Sequence, residues 1–191
     1  NPSIKNFLPN PNDLIDMEKS TSRTVEAISK KEKIGIFGDY DVDGATSTAL
    51  LGNYFTELNL NYEIYIPDRK KEGYGPSIKS FKELIEKKVK IIFTVDCGTL
   101  SFEAINFAKE KGIDVIVLDH HQSEVKLPKA FSVINPNRLD DKSNLQYLCA
   151  AGVSFMFLVS LNRALRSKKW FNTQNINEPN LIDYLDLVSL G

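Results

Sequence analysis

Side chains able to do metal or acid–base chemistry fall in three tight groups along this chain. The stretch GDYDVDG (38–44) sets Asp39, Asp41 and Asp43 at alternating positions. Asp96 follows the apolar run IIFTV (91–95), with Cys97 and Gly98 behind it. Asp119, His120 and His121 follow VIVL (115–118), so the 2 histidines of the chain stand side by side. If these runs are neighbouring strands of one sheet, Asp39, Asp41, Asp43, Asp96, Asp119 and both imidazoles face a common crevice. Two carboxylates about 4 Å apart repel by about 4 kcal/mol at an effective dielectric near 20, so the crowding calls for protonation or bound cations. Oxygen ligands mixed with imidazole and no thiolate favour Mn2+ or Mg2+ over structural zinc. Two such ions about 3.5–4 Å apart are an apparatus for hydrolysing phosphate esters.

Each group also has a plainer reading. A lone Asp at a strand end is a common helix N-cap. Asp39 beside Gly38 and Asp43 beside Gly44 suit turns. Cys97 reads as a small buried side chain, and a histidine pair on a loop is often only solvated. The metal reading rests on their coincidence at one edge of one sheet.

The elements that must position these groups are legible as alternation. Short β-rich runs lie at 33–37, 62–66, 91–95, 115–118 and 131–134, and near-continuous apolar strands of this kind belong to a parallel sheet covered on both faces. Helical patterns fall between them at 13–29, 46–57, 77–87 and 101–111, the last stopped by Gly112. The expectation is an α/β fold: a doubly wound, mainly parallel five-stranded sheet with helices on both faces, where ligands meet the carboxyl ends of the strands. Past 145 the pattern is helical only, with 148–165 and 179–190 as helices and 168–178 as a polar loop. The apolar positions Val153, Phe155, Phe157, Leu158 and Leu161 are assigned to core packing.

Composition bounds the rest. The chain has 191 residues, with 24 Lys+Arg against 25 Asp+Glu, 42% hydrophobic and 26% charged residues. These values exclude a disordered or coiled-coil chain, and the net charge of −1 excludes a polycationic coat for nucleic acid. No apolar run approaches the roughly 18–20 residues of a membrane span. The 2 cysteines, Cys97 and Cys149, show no C-x-x-C spacing, which leaves a reducing cytoplasm as the expected location. The opening residues lack a secretory signal, and the close on DYLDLVSLG after an apolar stretch reads as a cut from a longer chain.

With GDYDVDG, Asp96 and the Asp119-His120-His121 triplet in this order, the chain resembles the DHH phosphoesterase superfamily, and within it the RecJ-type single-stranded-DNA-specific exonucleases. YIPDR…EGYGP (65–76), TVDCGT (94–99), INPNR (134–138), AAGVSF (150–155) and the closing LIDYLDLVSLG carry the same resemblance, which covers nearly the whole chain. It implies a metal-dependent 5′-to-3′ exonuclease of repair and recombination, using two Mn2+ or Mg2+ ions. It implies Asp41, Asp43, Asp96, His120 and Asp186 as metal ligands, Asp96 being shared between both ions. His121 and Asp39 are implied as catalytic residues beside the metals. Single-stranded DNA is the implied substrate, and single-strand-binding protein or helicase partners go with the family. An Arg can hold a phosphate and a Tyr can stack on a base, so Arg69 and Tyr74 read either as substrate contacts or as part of a solvated loop, and the resemblance implies contact. Arg138, after Asn135-Pro136-Asn137, reads as a third substrate contact or as a plain turn residue.

The expected division is a lead-in helix over 1–30, the DHH α/β catalytic domain over 31–145 and a helical extension over 146–191 with the late acidic motif, the family's second domain being absent. Phe37 stands where many superfamily members, such as family II pyrophosphatases and small-oligonucleotide phosphodiesterases, place a histidine. Two enzyme alternatives are a small-oligonucleotide phosphodiesterase of the same superfamily and a haloacid-dehalogenase-type phosphatase, since DVDG resembles the latter's opening motif. A degenerate, non-catalytic replication scaffold is the alternative outside enzymes.

Overall fold

The computed structural model describes residues 8–191; the opening residues 1–7, the first part of the expected lead-in segment and the stretch read for a signal, lie outside the described residues. Five strands form one wholly parallel sheet: β1 (Ile34–Gly38), β2 (Tyr62–Tyr65), β3 (Ile91–Val95), β4 (Asp114–Leu118) and β5 (Ser132–Ile134), in the order β2-β1-β3-β4-β5. The chain leaves β1 toward one edge and returns to build toward the other, so the order reverses between β1 and β3. A crevice opens at that switch point, outside the carboxyl ends of the strands.

Alternation along the strands feeds two cores. Ile34, Ile36, Phe93, Val95, Ile116, Leu118 and Ile134 face the helices α1 (Met17–Ser29), α2 (Val42–Glu57) and α5 (Ala150–Ser167). Phe37, Ile92, Val115, Val117 and Val133 face α3 (Ile78–Glu86) and α4 (Phe102–Glu110). The Phe93 and Phe157 rings lie 5.3 Å apart in the first core, fixing α5 on the sheet. Truncating either to Ala would cost about 3–5 kcal/mol. Val153, Phe155, Phe157, Leu158 and Leu161 are all buried, as their spacing indicated.

Local chemistry sets where the helices begin and end. Ser77 and Ser80 form a reciprocal capping box at the start of α3. Gly112, at φ +70°, follows the last turn of α4 in the left-handed form that favours glycine. α2 starts at Val42, four residues before the expected 46, because Asp41 caps it by accepting from the Gly44 amide. The expected helix over 179–190 divides into a 3₁₀ turn (Leu181–Tyr184) and a single α turn, α7 (Leu185–Val188). The polar segment 168–178 contains α6 (Trp170–Gln174), bracketed by left-handed Lys169 and Asn175 and anchored by buried Phe171. No helix among the described residues is long and apolar enough to cross a membrane.

Candidate metal centre

Register lines up the acids. Gly38 pairs with Val95, and Val95 with Leu118, across β1, β3 and β4. The residue after each strand end is therefore Asp39, Asp96 and Asp119, one row on strands about 4.8 Å apart. Leu118 pairs with Ile134, which adds Asn135 to the same row. The backbone leaves these strands by tight paths: Asp96 takes φ +59° and Gly98 φ +112°. A side chain at Gly98 would meet Thr94 Oγ1 at 2.4 Å.

Two groups of ligand-type atoms form along this row, each within 4.8 Å: Asp39, Asp41 and Asp96, and Asp96, His120 and His121. Asp96 belongs to both. His120 Nε2 lies 3.3 Å from Asp96 Oδ1 and 3.5 Å from Asp43 Oδ2, which brings Asp43 to the edge of the second group. Asp43 is held by α5, whose Ala150 and Ala151 amides donate to its two oxygens at 2.8 and 2.7 Å. Asp41 and Asp43 thus sit on the N-termini of α2 and α5, where the helix dipole favours negative charge.

Asp96 is 1% exposed, yet neither of its oxygens holds a hydrogen bond; Oδ1 of Asp39 is likewise buried and unpartnered. Burial, opposed by His120 and reinforced by Asp43 and Asp41, pushes the Asp96 carboxyl up to about 6. Burial also raises Asp39. A buried carboxylate without donors is costly, and a divalent cation is the partner that oxygen and imidazole donors in this arrangement suit. The residues present fit one.

Asp119 does different work. Its carboxylate is 1% exposed and accepts from the Thr99, His120 and His121 amides at 3.0, 2.8 and 3.2 Å, and lies 2.7 Å from His121 Nδ1. Against the opposing effect of burial, these bonds pull it down to about 2, while the Asp119 bond raises His121 to about 9. Asn135 Nδ2 donates to Thr99 Oγ1 and to the His121 carbonyl, both at 2.9 Å, and Asn137 donates to the His120 carbonyl. The residue types alone did not mark Asp119, Thr99, Asn135 and Asn137 as supports; the Asn-Pro-Asn of INPNR was the available signal.

The expected peripheral residues divide. Arg69 is exposed at the rim, its guanidinium 5.1 Å from the centre of the Tyr40 ring. Tyr74 is also at the rim, with its hydroxyl donating to the Asp96 carbonyl at 2.9 Å. Arg138 is corrected: its side chain is 8% exposed, bonded to Asp16, Asp140 and the Val133 carbonyl, and it ties the approach to α1 to β5 instead of facing the crevice. Asp186 is corrected too. It lies exposed in the one-turn α7, where its Oδ1 accepts from the Leu187 amide, and it joins neither ligand group. The backbone of the same segment does reach the rim, since a Cβ on Gly191 would stand 2.6 Å from Asp43 Oδ1.

Residues 33–191 match the DHH family, N-terminal domain. The chain belongs to the DHH family. Over 190 residues, 99% of the chain, it is 40% identical to the single-stranded-DNA-specific exonuclease RecJ of Haemophilus influenzae. The chain spans about a third of that relative, 32% of its length. Among solved structures, an exonuclease RecJ bound to manganese superposes with a TM-score of 0.75 at 29% identity, over 92% of this chain and 42% of that one. RecJ of Thermus thermophilus in complex with Mn2+ gives 0.69 at 27% identity, over 92% and 23%. These matches overturn the haloacid-dehalogenase alternative, because they assign residues 33–191 to the DHH family.

Proposed function

We propose that this DHH domain is the hydrolytic part of a RecJ-type exonuclease that degrades single-stranded DNA from its 5′ end, in the cytoplasm, during repair and recombination. Within it, residues 31–145 supply the catalytic sheet, 1–30 lead into it, and 146–191 cover one face and present α5 to Asp43. Single-strand-binding protein or a helicase fits this role as a partner.

The observation that carries the reading is Asp96, buried, without a hydrogen bond and common to both ligand groups. Asp41, Asp43, Asp96 and His120 would hold Mn2+ or Mg2+, with Asp39 completing the first group and Asp96 common to both. A pair of such ions, when bound, supplies a water of lowered pKa and neutralises charge on a phosphodiester. The protein's own residues do the positioning. The α2 and α5 amides fix Asp41 and Asp43, leaving lone pairs for a cation. His121, kept charged by Asp119, faces the reacting phosphate and favours negative charge growing there. Arg69 takes a phosphate oxygen pair on the strand through its planar fork.

The test is Mn2+-dependent release of nucleotides from a long single strand by the full-length protein. Asp96→Asn and His120→Ala should each lower it by at least about 10²-fold, as expected for loss of a metal ligand. Near-normal rates in either variant overturn the ligand assignment. Faster cleavage of a dinucleotide than of a long strand would replace the exonuclease reading with the small-oligonucleotide phosphodiesterase.

A further inference from the structure

Tyr74 was expected to stack on a nucleobase, but its hydroxyl is engaged at the centre of the site. We propose that Tyr74 is a positioning residue, whose hydroxyl fixes the backbone of Asp96 and the ring of His121. What that positioning serves rests on the metal-dependent nuclease reading; the contact itself does not.

Three observations carry the inference. The first is the state of Asp96. Its φ of +59° is a left-handed conformation that a non-glycine residue holds only when its surroundings impose it. Its carboxylate accepts no hydrogen bond, with only the His120 and His121 imidazoles 3.3 and 3.9 Å from Oδ1, so its placement depends on the backbone that carries it. That backbone is held at both ends: the Asp96 amide donates to the Leu118 carbonyl at 3.0 Å, and the Asp96 carbonyl accepts from Tyr74 Oη at 2.9 Å. Of these two ties, only the one from Tyr74 is made by a side chain.

The second is the approach to His121. Tyr74 Oη lies 3.2 Å from Nδ1 and 3.4 Å from Nε2. The oxygen is thus almost equidistant from both ring nitrogens. The hydroxyl proton is already committed to the Asp96 carbonyl, so the oxygen meets the imidazole with its lone pairs. The rings meet at 67° with centroids 5.7 Å apart, which blocks the imidazole from swinging away from Asp119.

The third is the loop that delivers the hydroxyl. Between β2 and α3, Glu72 accepts from Tyr65 Oη at 2.6 Å and from the Asp68 amide at 3.0 Å, tying the loop to β2. Gly73 and Gly75, each at φ +77°, bend the chain on either side of Tyr74 so that its side chain reaches across β1 to the end of β3. Arg69 belongs to the same loop, seated over Tyr40. Tyr74 therefore ties the segment carrying the phosphate-type contact to the Asp96 rim.

Tyr74→Phe removes the hydroxyl and keeps the ring, and Tyr74→Leu removes the ring; both are made in the full-length protein. Loss of a supporting contact of this kind costs about 10–100-fold in metal affinity or activity. Tyr74→Phe should lower kcat on single-stranded DNA by about tenfold with KM unchanged, and weaken Mn2+ binding by about tenfold in calorimetry. Hydrogen–deuterium exchange over residues 96–99 should quicken in the same variant. A Tyr74→Phe protein that matches the wild type in kcat and Mn2+ affinity, with KM rising only in Tyr74→Leu, overturns the proposal in favour of base stacking. If the wild type neither binds Mn2+ nor cuts DNA, the nuclease reading fails, and exchange over 96–99 still decides: acceleration in Tyr74→Phe supports the positioning contact, and unchanged exchange overturns it.

Discussion

Burial takes the Asp96 carboxyl from an ordinary 3.8 up to about 6, so the folded, metal-free protein holds this proton more tightly than the unfolded chain does. The sign of the pH dependence follows. Below about pH 4 the group is protonated in both states and costs nothing, between about 4 and 6 the penalty grows, and above 6 it is complete. In chelator near neutral pH, Asp96→Asn should therefore raise Tm by a few degrees, with the gain shrinking toward pH 4. The same variant loses the Mn2+ response. Melting curves with chelator at the two pH values check this; a lower Tm for Asp96→Asn near neutral pH would mean that the carboxylate already has a stabilising partner. Arg138 belongs to the opposite class. Its three bonds join Asp16, Asp140 and Val133, and losing charge-assisted bonds to these partly exposed partners costs about 1.5–3 kcal/mol, so Arg138→Ala should unfold at lower denaturant while KM for DNA stays unchanged. A raised KM with normal stability would return Arg138 to the substrate.

The turn from β1 into α2 shows how closely the elements hold the acids. A methyl at Gly44 would lie 2.6 Å from Asp39 Cβ and 2.7 Å from its carbonyl oxygen, so α2 can close on β1 only with glycine there. Gly44→Ala should cost about 1–3 kcal/mol, as overpacking does, and should weaken Mn2+ binding by shifting Asp39 against Asp41. Equal Mn2+ affinity in this variant would show that the turn tolerates movement. This level also separates what the sequence disclosed from what it did not. The central strands β1 and β3 were legible because their apolar runs, IGIFG and IIFTV, are continuous and fully buried. Asp39, Asp96 and Asp119 were legible as strand-end acids, but their shared row depends on register, which no single strand encodes. The split between ligand and support was hidden for the same reason. Asp96 and Asp119 follow similar strands, yet Asp119 accepts the Thr99 amide across the rim while the Asp96 carboxylate accepts no hydrogen bond and has the His120 imidazole beside it. Arg138 misled because an Arg after Asn-Pro-Asn reads as exposed, whereas its partner Asp16 comes from 122 residues earlier in the chain. Asp186 was carried over from the resemblance, and the one short turn it lies on leaves its carboxylate exposed and outside both ligand groups.

Across the whole molecule, the crevice gathers residues from β1, β3, β4 and the N-termini of α2 and α5, elements that otherwise meet through two separate apolar cores. A cation held there cross-links both cores at the rim where carboxylate repulsion loosens them, so binding must appear as folding stability. A ligand at about 100 times its Kd adds about 2.7 kcal/mol per site, and 1 kcal/mol moves Tm by about 2–4 °C in a domain of this size. Saturating Mn2+ should therefore raise the unfolding temperature of this domain in the full-length protein by about 5–10 °C for each ion bound, and chelator should reverse it. Asp43→Asn and His120→Ala should each remove part of that shift, and Asp96→Asn most of it, because only Asp96 enters both ligand groups. Asp186→Asn should keep it whole, since that carboxylate lies exposed and outside both ligand groups. Calorimetric titration beside the melts gives the number of ions. Two ions in the wild type, with the second lost in His120→Ala, agree with the shared carboxylate. No shift at all would leave the acids without a partner, and the domain would then be a scaffold that kept the shape of a nuclease.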